Sequence, residues 1–228
     1  MNLNKIIIIF FIMMVPNDVF AHTNHYKNIK KIEMEIFRNN KLIGYNNYFF
    51  KRKENITEIT NQIKFSVSLL GTEIFNFESY GVEKYNRNQL ISFNSKTIQN
   101  NTEKFVNLLF EKKINKFIIE GSSFKGITNT DSVVANWWSH KLLQTKTQIS
   151  PISGSLKEQV VQFVSKEKIT IYDKIFTVKH FKLSSKNSDI SKNKRLNFDI
   201  WYDEKTGLIL KVKYSRMGDW EYRLKSFE

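Results

Sequence analysis

No cysteine occurs in the chain, which excludes disulfides, thiolate metal sites, thiol catalysis and a lipid-modified N-terminus. Any exported fold it adopts is held by core burial alone, which a chain of this size can supply. Only two prolines are present, Pro16 and Pro151, and no Pro/Ser-rich linker or composition break divides the sequence. Residues 22–228 therefore read as one domain, without an internal repeat. Histidine is also scarce, with four in 228 residues, and GxSxG, HExxH, P-loop and dinucleotide fingerprints are absent. A Ser139, His140 and Asp203 triad has no support from spacing, and the chain reads as non-catalytic. Past residue 15 there is no long apolar run, so no stop-transfer segment follows the N-terminus.

The N-terminus carries the clearest signal. Lys5 provides a positive start, Ile6 to Val15 form an uncharged apolar stretch, and Val19-Phe20-Ala21 offers a small-x-small cleavage site. Residues 1–21 are predicted to be a signal peptide cut after Ala21, which makes the mature protein periplasmic or secreted. Cleavage there would leave His22 at the N-terminus, where its amino nitrogen and imidazole could chelate Cu(II) with His25 or His140 as a further ligand. A frayed, solvated leader accounts for the same residues, and no metal or other cofactor is assigned. The net charge is +14 and Lys5 cancels Asp18, so cleavage does not alter it. In an exported protein this excess excludes nucleic acid as the natural partner and leaves an anionic membrane surface as one. Lysine is nevertheless scattered over every segment amid about two dozen asparagines, the pattern of a general compositional bias.

What the chain has in abundance is aromatic residues, 19 Phe, 9 Tyr and 4 Trp, set in short alternating runs between turn signals. Ile32, Met34 and Ile36 alternate with charged residues, and Asn39-Asn40 turns the chain into a return strand. Further strands are predicted over 59–69, 74–85, 89–99, 104–110 and 116–120, with Ile63, Phe65, Val67 and Leu69 on one face. After a break come 156–165, 169–172, 176–183, 196–202, 208–214 and 220–227, with a polar loop at 184–195. Between the two groups, Thr130-Asp131-Ser132 could cap a helix over 133–143, carrying Val134, Trp137, Trp138 and Leu142. Asp203 is expected to cap the turn that ends at Gly207. The fold class is all-β with minor α: an antiparallel curved sheet, half-barrel or lipocalin-like, with one short helix as plug or lid.

A sheet this wide leaves space that its own side chains do not fill. The residues expected in its concave face are Phe65, Phe77, Tyr80, Phe93, Trp137, Trp138, Trp201 and Tyr214, suited to an apolar or amphipathic small molecule or lipid. The alternative is an interaction module of the cell envelope with a filled core. Leu42-Ile43-Gly44, the run Glu83 to Thr97, Asn136-Trp137-Trp138 and Asp199-Ile200-Trp201-Tyr202-Asp203 with Gly207 together resemble DUF6134. This is a family of exported bacterial proteins of unknown function, and the resemblance spans about Ile32 to Leu224. It implies an exported β-rich fold and supplies no reaction.

Overall fold

The computed structural model describes residues 26–187, 189–191 and 194–228. The predicted signal peptide, His22 and His25 lie outside the described residues. Fifteen strands form one sheet: β1 (Lys31–Arg38), β2 (Lys41–Lys53), β3 (Ile56–Leu69), β4 (Thr72–Asn86), β5 (Gln89–Gln99), β6 (Thr102–Glu111), β7 (Lys116–Gly121), β8 (Phe124–Asn129), β9 (Val133–Val134), β10 (Thr147–Ile149), β11 (Leu156–Ile171), β12 (Lys174–Ser185), β13 (Asn197–Asp203), β14 (Leu208–Ser215) and β15 (Asp219–Phe227). Their spatial order is β8-β7-β6-β5-β4-β3-β2-β1-β15-β14-β13-β12-β11-β10-β9, so the first and last strands pair at the middle of the sheet. Every neighbouring pair is antiparallel except β9 with β10. The outermost strands, β8 and β9, are not paired with each other, which makes this an open, half-barrel sheet.

Asparagine usage explains the tight meander. Asn39-Asn40 and Asn100-Asn101 hold positive φ at both turn positions (48° and 62°, 45° and 65°), the geometry whose twist matches flanking antiparallel strands. Asn tolerates that region better than other non-glycine residues. Turns 39–40, 70–71, 100–101 and 217–218 lie at one end of the sheet, while 54–55, 87–88 and 204–206 lie at the other.

The sheet must curl strongly. β8 ends at Asn129 and β9 begins at Val133, so a connection at most about 14 Å long joins one edge of the sheet to the opposite edge. The loop after β10 reinforces this closure. Ser123 N–H donates to Ser153 O (2.9 Å) and Ser95 Oγ to Pro151 O (2.6 Å), tying the β9–β11 side to β5 and β7.

Two expectations are corrected. No helix forms over 133–143: Val133 and Val134 pair in parallel with Gln148 and Ile149, and only His140–Leu143 makes a 3-10 turn. β-branched residues favour the strand, and the Asn136 amide bonds to Val134 O and accepts from Ser139 N–H, competing with helical backbone bonding. The cap comes from Ser139, whose side chain accepts from Lys141 N–H, and not from residues 130–132. On β3, a register shift between Val67 and Ser68 leaves Leu69 exposed, although Phe65 and Val67 are buried as expected. β8 and β10 were missed, and the two strands expected over 156–172 are one long strand with an irregularity between Phe163 and Ser165.

Gly121 sits where the closing loop crosses β7: a Cβ there would lie 2.5 Å from Ser153 O and 2.9 Å from its carbonyl carbon. Both contacts are with backbone, which cannot rotate away. Gly121→Ala should lower stability by about 1–3 kcal/mol, read as a reduced urea midpoint at unchanged m-value.

Candidate functional site

An elongated cavity of about 750 Å³ occupies the concave face. On β4 its wall runs from Ile74 to Glu83, a length of about 30 Å at about 3.3 Å per residue. Alternation places Phe77, Ser79, Gly81 and Glu83 on this wall and turns Tyr80 outward, half exposed.

The upper part is an aromatic belt. Phe65 stacks on Phe77 with ring centroids 4.9 Å apart and meets the Trp220 edge at 5.4 Å. Trp220 stacks on Tyr214 (5.7 Å), Tyr214 touches Phe198 (5.2 Å), and Phe198 touches Trp137 (5.4 Å). The belt therefore crosses from β4 through β3, β15, β14 and β13 to the segment that spans the two edges. Aromatic faces offer large apolar area with few rotatable bonds to fix.

Polar side chains complete the lining. The Asn61 amide donates to Asn46 Oδ1 (2.6 Å), Ser79 and Thr97 share a hydrogen bond (2.7 Å), and Gln148 Nε2 donates to Gln159 Oε1 (2.6 Å). Tyr48 Oη accepts from the Asn46 amide and from Trp137 N–H, each at 3.0 Å. That pair of bonds fixes where Trp137 leaves the backbone.

Glu83 lies at the bottom, fully enclosed. Its Oε1 accepts from Trp138 Nε1 (2.9 Å) and Asn136 Nδ2 (3.1 Å), and its Oε2 accepts from the Tyr85 hydroxyl (2.6 Å). Burial pushes the Glu83 carboxyl up to about 7, while the three donors and the Lys141 charge pull it down. Trp138 is 2% exposed and packs edge-on against Tyr26 (5.1 Å) and Phe50 (5.6 Å), sealing this end. The seal is pinned further by the Tyr26 hydroxyl donating to Gly207 O (2.7 Å) and by Arg52 reaching Tyr26 O and Ile29 O.

The opposite end is the mouth, ringed by Arg38, Lys104, Lys157 and Arg216, and among the described residues Glu83 is the one acidic residue in the lining. Lys104 Nζ is held by Gln99 Oε1 (2.8 Å), and Arg38 donates to Met217 O and lies over the Trp220 ring.

Of the residues expected in the concave face, Phe65, Phe77, Phe93, Trp137 and Tyr214 line the cavity. Trp138 is instead a plug beneath it. Tyr80 and Trp201 are corrections. Tyr80 lies three positions from Phe77, an odd offset, and cannot share its face. Trp201 is opposite in parity to Phe198 and Ile200: it stacks on His180 (4.5 Å), donates to Glu167 (2.6 Å) and carries Lys211 over its ring. Trp220, Tyr222, Phe198, Glu83 and the cations were missed, although the alternation of Trp220, Tyr222 and Leu224 signalled one buried face. Asp203 caps its turn as expected, accepting from Lys205 N–H, Thr206 N–H and the Thr206 hydroxyl.

Ser139, His140 and Asp203 do not form a triad. The Ser139 hydroxyl accepts from Lys141 N–H, His140 Nδ1 meets the Tyr26 hydroxyl (2.8 Å), and Asp203 is occupied by its turn. Among the described residues, no three His, Asp or Glu side chains converge to hold a metal ion.

The Glu83 environment makes stability depend on pH. Folded Glu83 holds its proton more tightly than the unfolded carboxyl, so its contribution is complete below about pH 4.5 and is lost as pH rises towards 7. Glutamine reproduces the protonated group, with Oε1 accepting from Asn136 and Trp138 and Nε2 donating to Tyr85. Urea unfolding of the parent protein should lose of the order of 3 kcal/mol more than Glu83→Gln between pH 4.5 and 8.

Comparison with known proteins agrees with this architecture. The chain is similar to a β-barrel-like protein of domain of unknown function DUF1849 from Brucella abortus, with TM-score 0.56 and 9% identity over 88% of this chain and 96% of that one. A protein with a YmcC-like fold from Bacteroides fragilis matches at 10% identity, over 87% and 94% of the two chains, with TM-score 0.36. The first shares the curved β-barrel-like fold, and at such identity the likeness concerns fold alone. No curated protein matches the chain. The model of Domain of unknown function (DUF6134) matches residues 34–225, from the second half of β1 to β15, so the chain belongs to the DUF6134 family.

Proposed function

We propose that this is an exported periplasmic protein that binds an apolar or lipid-like ligand, without catalysis, in the concave cavity. The observation that carries the reading is the aromatic belt around Phe65, Trp220, Tyr214 and Trp137, which lines a cavity of about 750 Å³. That size falls within the roughly 300–1,000 Å³ common for small-molecule sites, and apolar walls with a few polar groups match their usual chemistry. Burial would drive binding at roughly 25 cal/mol per Å² of apolar surface. Export rests on the N-terminal pattern in the sequence.

The rim supports delivery to or from an anionic membrane surface. Leu70 and Met217, at two hairpin tips of the mouth end, are 98% and 88% exposed, beside the cationic ring. Exposed apolar tips among basic side chains suit a headgroup interface.

Nile red, a neutral environment-sensitive dye, tests the reading. It should bind one to one with blue-shifted emission. Trp137→Ala should weaken binding about tenfold by removing belt area, whereas Tyr80→Ala, on the opposite face, should leave it unchanged. Absence of binding, or equal sensitivity to both substitutions, would sink the cavity reading.

A further inference from the structure

The cavity lining is strongly cationic, and the charges at its mouth are unanswered. Arg38, Lys104, Lys157 and Arg216 converge there, drawn from β1, β6, β11 and the β14–β15 turn. Among the described residues none of the four makes an ion pair, although surface lysines elsewhere pair with carboxylates, as Lys96 does with Glu103 (2.8 Å) and Lys125 with Glu120 (3.0 Å). Glu83 pairs with none of them, and its oxygens are taken by Trp138, Asn136 and Tyr85.

Like charges meet at this rim. Lys157 is partly buried, and its charged form is disfavoured first by that burial and then by Arg216. Arg38 is held in place by Met217 O and by the Trp220 ring, so its guanidinium is aimed before any ligand arrives. Beside the cations stand the aromatic side chains, which offer nothing to a second charge. Such a site answers a molecule with one anionic end and an apolar body.

We propose that the ligand is an anionic amphiphile, its carboxylate or phosphate held by Arg38, Lys104, Lys157 and Arg216 at the mouth and its apolar body lying along the aromatic belt. This rests on the cavity reading above and adds the ligand's charge and its direction. A fatty carboxylate and a lipid phosphate present the same chemistry to the ring: a compact anion that accepts from guanidinium and ammonium donors.

The experiment compares cis-parinaric acid with its methyl ester, followed by ligand fluorescence at low ionic strength and at a pH where the acid is ionised. The acid should bind at least tenfold more tightly, and 0.5 M salt should reduce the difference. In the double variant Lys157→Gln, Arg216→Gln, whose side chains carry no hydrogen bond among the described residues, the acid's advantage should fall to about twofold or less. Sodium acetate at the same concentration as the acid should not displace it. Equal binding of acid and ester would overturn this inference while leaving the cavity reading intact. Failure of both to bind would overturn the cavity reading itself. An acid advantage unchanged in the double variant, or displacement by acetate, would also overturn the proposal. Replacing the acid by lysophosphatidic acid distinguishes the two head groups, and tighter binding of either over its uncharged counterpart supports the ring.

Discussion

The arrangement depends on the hydrogen bonds that Glu83 accepts from Trp138 and Asn136. They fasten the segment crossing between the edges of the sheet to the wall of β4. A carboxyl group buried this deeply is unfavourable unless its oxygens are bonded, and here Tyr85 supplies a third donor. Because Trp138 is consumed in this contact, it plugs the lower end. Trp137, its neighbour, is turned by Tyr48 towards the open volume. One adjacent pair of tryptophans thus divides into a seal and a wall.

Fifteen strands in an open sheet would ordinarily leave two vulnerable edges. Here the chain passes from β8 to β9 across the gap, and the loop at 150–154 lies on β5 and β7, so the edges face each other at short range. The middle of the sheet, where β1 pairs with β15, joins both chain ends of the described region, and the outer strands belong to the middle of the sequence. Curvature makes the cavity, and the aromatic side chains are too few to fill it. Its lining combines cations, rings and amides, a set that no single segment contains.

The meander itself was readable strand by strand. Asn39-Asn40, the alternation Ile32, Met34, Ile36 and the turn at Asp203 all encode local geometry, and each appears where expected. Parity along a strand was equally readable where it was applied. Tyr80 and Trp201 are aromatic, yet the alternation set by Phe77 on one strand and Ile200 on the other excludes them from the concave face. The helix expected around Trp137 failed for a different reason. Periodic apolar spacing cannot reveal that Val133 and Val134 find a parallel partner in β10, or that Asn136 spends its amide on Glu83.

By itself the sequence determined an antiparallel β chain with tight asparagine turns, one apolar face and the family signature, because these depend on residues within a few positions of each other. The tertiary structure decided where the edges meet, which tryptophan seals and which lines, and that Arg38, Lys104, Lys157 and Arg216 share one rim. Those outcomes come from contacts between residues far apart in the chain: Glu83 and Trp138 across 55 positions, Tyr26 and Gly207 across 181. Such contacts exist only once the sheet has curled.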